Sequence, residues 1–171
     1  MNVPLWIAVP VVATAALAAG ADVRTRRIPN LLTGSAVLAG VLVHLAARGT
    51  GGLWDSILGL LVAGGMLLPG WLFGWMGAGD VKLMAAVGAW LGLAQGLLAT
   101  LAALMAGGVI ALFVAVRRGV LRRSLWGAAM LGSWAATRGL TTAPPPVTTG
   151  VRFPFAFAVL AGAVTALWVR L

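Results

Sequence analysis

Of the 171 residues only three are acidic, all aspartate, and two of them stand where an ion is costly. Asp80 lies in the run Gly77-Ala78-Gly79-Asp80-Val81-Lys82 between two long apolar stretches. Asp22 ends the first apolar stretch, just before Arg24-Thr25-Arg26-Arg27-Ile28-Pro29-Asn30. A carboxylate at or near membrane depth is expensive unless it is paired, hydrated or protonated, so its default reading is functional. Two carboxylates brought within a few ångströms share one proton, because both cannot ionise at that separation. The ionised member then takes a proton from water while the neutral one protonates or polarises a carbonyl, which is peptide hydrolysis without metal or covalent intermediate. Gly77 and Gly79 let the backbone bring Asp80 close to a substrate, and a helix starting there favours negative charge at its N-terminus. Lys82 and Arg24 are placed to tune the pair. Structural roles stay open for each aspartate alone, since Asp is a favoured N-cap and Asp22 beside Arg24 and Arg26 reads equally as an interfacial ion pair. Asp55, between Trp54 and Ser56, reads as the N-cap of a later apolar span.

Other chemistries lack their residues. There is no glutamate, so an H-E-x-x-H helix cannot be built, and the single histidine, His44, cannot make a histidine-rich zinc site. His44 reads as a packed or snorkelling side chain in the membrane half opposite the two aspartates. Without cysteine there are no disulfides, thiolate nucleophiles or Cys-bound zinc. Ser35, Ser56, Ser124 and Ser133 lie outside any G-x-S-x-G context. The expectation is a site with no metal and no cofactor.

The elements that must position the pair are membrane helices. The chain is 61% hydrophobic and 9% charged, against about 25% charged in an average soluble domain. Its apolar stretches are Val3 to Ala21, Leu31 to Ala47, Ser56 to Trp75, Val81 to about Ala94, Leu97 to Val116 and Pro154 to Val169, with the fourth and fifth separated only by Gln95-Gly96. The first has no positive residue before it and Arg24, Arg26 and Arg27 after it, which is the reverse of a signal peptide. Threading six spans from an outside N-terminus puts ten of the twelve Lys and Arg residues on the cytoplasmic side, leaving only Arg48 and Arg170 outside. Asp22 and Asp80 then share the cytoplasmic face. The net charge of +9 sets orientation and meets anionic headgroups, and no basic stripe on a soluble module exists to bind nucleic acid.

The longest connection, Arg117 to Phe153, includes an apolar segment from Leu125 to Trp134 that is too short to span and reads as an interfacial or re-entrant helix on the cytoplasmic surface, followed by the stiff linker Thr141-Thr142-Ala143-Pro144-Pro145-Pro146. Gly88, Gly92 and Gly96 recur every four residues and predict a packing stripe on the fourth helix, with Gly70 and Gly74 as a similar pair on the third. No internal repeat is evident, which weakens a transporter reading. The fold class expected is all-α, a polytopic bundle of about six transmembrane helices with a cytoplasmic interfacial helix, forming one domain over residues 1–171.

At the two aspartate blocks the chain resembles the type IV prepilin peptidases, the GxGD class of intramembrane aspartyl proteases. Asp22-Val23-Arg24-Thr25-Arg26-Arg27-Ile28-Pro29-Asn30 corresponds to the block of the first catalytic aspartate and its Ile-Pro-Asn turn. Gly77-Ala78-Gly79-Asp80-Val81-Lys82-Leu83 corresponds to the second, about sixty residues on. Arg152-Phe153-Pro154-Phe155-Ala156 is similar to the start of the family's last helix, without the glycine often found there. The resemblance implies catalysis by Asp22 and Asp80 in a cleft bordered by Gly77, Gly79, Lys82, Arg24, Pro29 and Asn30. It also implies a prepilin-like substrate whose short basic leader is cut after Gly at the cytoplasmic face of the inner membrane. The cysteine-bearing insert associated with N-methylation in larger members is missing, as in the minimal members serving Flp-type pili. Two rivals to a protease are a small proton- or cation-coupled transporter subunit and a non-catalytic scaffold of pilus assembly. The partners expected are the substrate and the bilayer; the residues leave the oligomeric state open.

Overall fold

The computed structural model describes residues 3–25, 27–119, 122, 126, 129 and 155–169. Four helices account for most of these residues: α1 (Leu5–Thr25), α2 (Asn30–Leu72), α3 (Ala78–Arg117) and α4 (Ala156–Trp168). The first three are long and apolar enough to cross a membrane. The arrangement is the all-helical one that the composition predicts.

Two of these helices are not straight rods. A 43-residue helix would run about 64 Å if unbroken, twice the ~30 Å hydrocarbon core. The backbone of α2 leaves helical geometry at Gly49 (φ 62°, ψ −146°), and that of α3 at Gly92 (φ 76°, ψ −176°). Both are conformations that L side chains avoid. The arms on either side fold back on each other. Gly40 and Ser56 flank Gly49, yet both meet Ala89 of α3: a methyl group on Gly40 would lie 3.2 Å from the Ala89 carbonyl carbon, and the Ser56 hydroxyl donates to the Ala89 carbonyl at 2.7 Å. A methyl group on Gly96 would lie 3.2 Å from Cα of Gly88, whereas eight residues of straight helix would separate them by about 12 Å.

Small residues make this packing possible. Gly59 and Gly64 of α2 face Gly88 and Ala85 of α3, and Gly162 of α4 faces Ala99 and Ala103 in the second arm of α3. Without a hydrophobic force between helices in lipid, such close backbone approach supplies the dispersion that holds a bundle together. Larger side chains fill the centre, with Val11, Leu67, Leu83, Met84, Val87 and Val159 fully buried. Leu31, Leu38, Leu61, Met105 and Val109 point outward, which suits a lipid-facing surface.

The breaks differ in place from those read in the sequence. The turn in α3 is at Gly92 and not at Gln95-Gly96, so Gly88, Gly92 and Gly96 are not one stripe: Gly92 is the turn, and the other two face each other across it. The second arm of α2 starts directly after Gly49, ahead of Ser56, and α2 ends at Leu72. Gly74, at φ 73°, therefore belongs to the turn that follows, where the Gly70 carbonyl accepts from Trp75 N–H at 2.8 Å. The interfacial helix expected over residues 125–134 lies outside the described residues, apart from Trp126 and Ala129, as does Pro154.

A break within an apolar bundle exposes four C=O groups on one side and four N–H groups on the other, and each is costly to leave unsatisfied where water is scarce. At Gly92 three of them are met by side chains of α2. Ser56 donates to Ala89 O, His44 Nε2 lies 2.9 Å from Trp90 O, and Asp55 Oδ1 accepts from Leu93 N–H at 2.9 Å. Asp55 is thus not the N-cap of its own helix; it caps the second arm of α3 and pairs with Arg48 at 3.4 Å.

Candidate active site

The opposite end of the bundle brings the two aspartate blocks together. Asp22 sits half-buried in the last turns of α1. Just beyond it, the Thr25 hydroxyl lies 2.9 Å from Ala21 O and 3.0 Å from Arg27 O, which ties the helix end to the extended residues that follow. Pro29 (φ −61°, ψ 130°) is the N-cap of α2. It has no N–H to lose, and its carbonyl accepts from Leu32 and Thr33 N–H at 3.1 and 3.3 Å. The Ile-Pro-Asn run is therefore a stiff corner that starts α2 beside α3.

The second block begins α3. Gly77 is its N-cap, and the contact with Asp80 is reciprocal: Asp80 N–H donates to Gly77 O at 3.1 Å, and Gly77 N–H donates to Asp80 Oδ2 at 3.1 Å. This is the backbone equivalent of a capping box and sets the rotamer of the carboxylate. Asp80 is 9% exposed.

Two contacts join the blocks. Gly79 lies under Ile28, where a methyl group would stand 3.2 Å from Ile28 Cβ, so a side chain there would need Ile28 to give by a few tenths of an ångström. Lys82 Nζ donates to Asn30 Oδ1 at 2.9 Å and bridges the first turns of α2 and α3. The Ile28–Asn30 corner that follows the Asp22 block thus packs against the start of α3, which carries Asp80. Two carboxyl groups brought within a few ångströms of each other can hold a single proton between them. Arg24 and Arg27 are exposed beside the pair, while Arg26 lies outside the described residues.

The third acid does not join the site, since Asp55 is engaged at the far end with Arg48 and Leu93. His44 is there too, buried as expected of a packed residue, with its ring edge-on to Trp6. Among the described residues, no three His, Cys, Asp or Glu side chains gather where a metal ion would fit. Sequence reading named Asn30 and Lys82 as neighbours of the site but missed that they bond to each other. It also missed Ile28, whose apolar side chain carries no chemical signal and whose place beside Gly79 only the folded corner reveals.

A family model described as the type IV leader peptidase family, Peptidase_A24, matches residues 9–112. The chain belongs to the type IV leader peptidase family. The matched stretch runs from the first half of α1 into the second arm of α3 and contains both aspartate blocks. No curated protein and no solved structure matches the chain. Membership in a leader peptidase family makes this a membrane-associated protease of that kind.

Proposed function

We propose that this leader peptidase is an aspartyl endopeptidase in which Asp22 and Asp80 form the catalytic dyad. The observation that supports the reading is the meeting of the two blocks, Gly79 under Ile28 and Lys82 on Asn30. One carboxylate takes a proton from water as the water oxygen bonds to the scissile carbonyl carbon, and the protonated partner donates to the carbonyl oxygen. Collapse of the tetrahedral intermediate breaks the C–N bond: the proton taken from water passes to the leaving amine, and a hydroxyl of the intermediate returns its proton to the other carboxylate. The dyad returns to its singly protonated state.

The substrate proposed is a prepilin-like protein cut after the Gly that ends its basic leader, at the cytoplasmic face of the cytoplasmic membrane. With α2 and α3 each bent at a glycine, the described helices supply six apolar segments, and six crossings from an outside N-terminus put the dyad on the cytoplasmic side with Arg24, Arg27, Lys82 and Arg117. The far end then carries Arg48 alone among the described cations. Because the site is itself ringed by positive charge, attraction does not hold a basic leader. The substrate's apolar helix docks laterally against the bundle, and Gly at the cut admits backbone to a narrow cleft. Incubation of the purified protein with a prepilin-like substrate, followed by mass spectrometry of the products, tests this. A single cut after the leader Gly is expected; a cut elsewhere or uncut substrate overturns it.

A further inference from the structure

The first arm of α3, from Ala78 to the break at Gly92, holds Asp80 at one end and the side-chain-capped break at the other. Its middle is tightly enclosed, with Leu83, Met84 and Val87 fully buried. A rigid arm of this kind transmits a rotation at one end to the other. The two carbonyls at its far end are held by side chains from different arms of α2, His44 before Gly49 and Ser56 after it. Both are sealed from solvent, Ser56 at 0% and His44 at 1% exposure. A carbonyl only accepts, so His44 Nε2 carries the hydrogen and is the donor to Trp90 O, and Nδ1 is left buried with no hydrogen-bond partner among the described residues. This side chain is therefore placed for one bond. Ser56 and His44 thus each place one buried hydrogen bond on successive carbonyls of this break.

We infer that His44 and Ser56 are positioning residues for Asp80: by pinning two successive carbonyls at the far end of the arm, they fix the rotation at which the carboxyl group meets Asp22. The inference rests on the reading of Asp80 as catalytic. A carboxylate stands about 5–6 Å from its helix axis, so a 20° rotation of the arm moves it by about 2 Å. Misplacement by about 1 Å can lower a rate by about 100-fold.

The test uses two replacements of similar shape at one site. Gln offers an N–H where His44 Nε2 stands, and Met does not. In the purified full-length chain acting on a prepilin-like substrate, His44→Met and Ser56→Ala should lower kcat about 10- to 100-fold with KM unchanged, and His44→Gln should stay within about 3-fold of the parent. A second readout does not use activity. The chain has no cysteine, and Ile28→Cys with Gly79→Cys places two Cβ atoms about 3.2 Å apart, near the ~3.5–4.5 Å of a disulfide. Oxidation of this pair should be fast in the parent and His44→Gln backgrounds and slower in His44→Met and Ser56→Ala. If His44→Met does not fold, Ser56→Ala carries both readouts. Equal kcat and equal cross-linking in the Met and Gln variants would overturn the inference, as would an equal loss in both. If Asp80→Asn is as active as the parent, the catalytic reading falls, while the cross-linking arm still decides whether the far end positions the near one.

Discussion

Replacing Gly92 by Ala tests the turn on which the architecture of α3 depends. At φ 76° and ψ −176° the residue lies in a region open essentially to glycine, so a side chain there costs about 1–3 kcal/mol from backbone strain. The added methyl would also meet the Asp55 carboxylate, with Cγ at 2.8 Å. Asp55 must then move off Leu93 N–H, and losing a hydrogen bond to a charged acceptor costs about 1.5–3 kcal/mol. Together these give about 2.5–6 kcal/mol. Gly49→Ala supplies the strain alone, because nothing stands within 4 Å of its added methyl, and should cost about 1–3 kcal/mol. Gly108→Ala lies in the second arm of α3, also with open space around it, and should be neutral or stabilising by up to ~1 kcal/mol through helix propensity. Unfolding in mixed micelles, followed by helicity, should rank Gly108→Ala at or above the parent, then Gly49→Ala, then Gly92→Ala. In an Asp55→Ala background the Gly92→Ala cost should fall to the strain component. A Gly92→Ala protein as stable as Gly108→Ala would mean that α3 does not turn there, and the reasoning would fail.

Other outcomes follow from the same geometry. A dyad that works with one shared proton should give a bell-shaped pH profile of kcat/KM, falling at low pH where both carboxyls are protonated and at high pH where both are ionised; a flat profile across the carboxylate range would exclude it. Cysteine at Thr25 should react with an impermeant thiol reagent only in opened cells and cysteine at Thr50 in intact cells, and the opposite pattern would invert the proposed orientation. Lys82→Met and Asn30→Leu should each lower stability by about 0.5–1.5 kcal/mol, with the double mutant hardly worse than either, because they remove one bond; strict additivity would show that the 2.9 Å contact contributes nothing.

Much of the candidate site was legible because so few residues are polar. With three acids in the chain, locating them at apolar boundaries leaves little choice of chemistry, and Pro29 and Gly77 announce helix starts by their backbone preferences. The turn at Gly92 was illegible for a physical reason. Glycine at four-residue spacing has the same pattern whether it packs a helix face or reverses a chain, and what separates the two is the tertiary cap that Asp55, Ser56 and His44 supply. Asp55 was misread for the same reason, since its partner lies 38 residues on. The neighbouring Gln95 drew the boundary because it is polar, yet its side-chain oxygen is buried without a hydrogen bond among the described residues.

The central claim is that Asp22 and Asp80 act as one catalytic unit. Single-turnover cleavage of a prepilin-like substrate by the purified parent, Asp22→Asn, Asp80→Asn and the double variant measures it most directly. Each single change should abolish cleavage, with the double hardly slower than either, because members of one unit are not additive. A folded Asp22→Asn protein that cleaves at the parent rate would contradict the account.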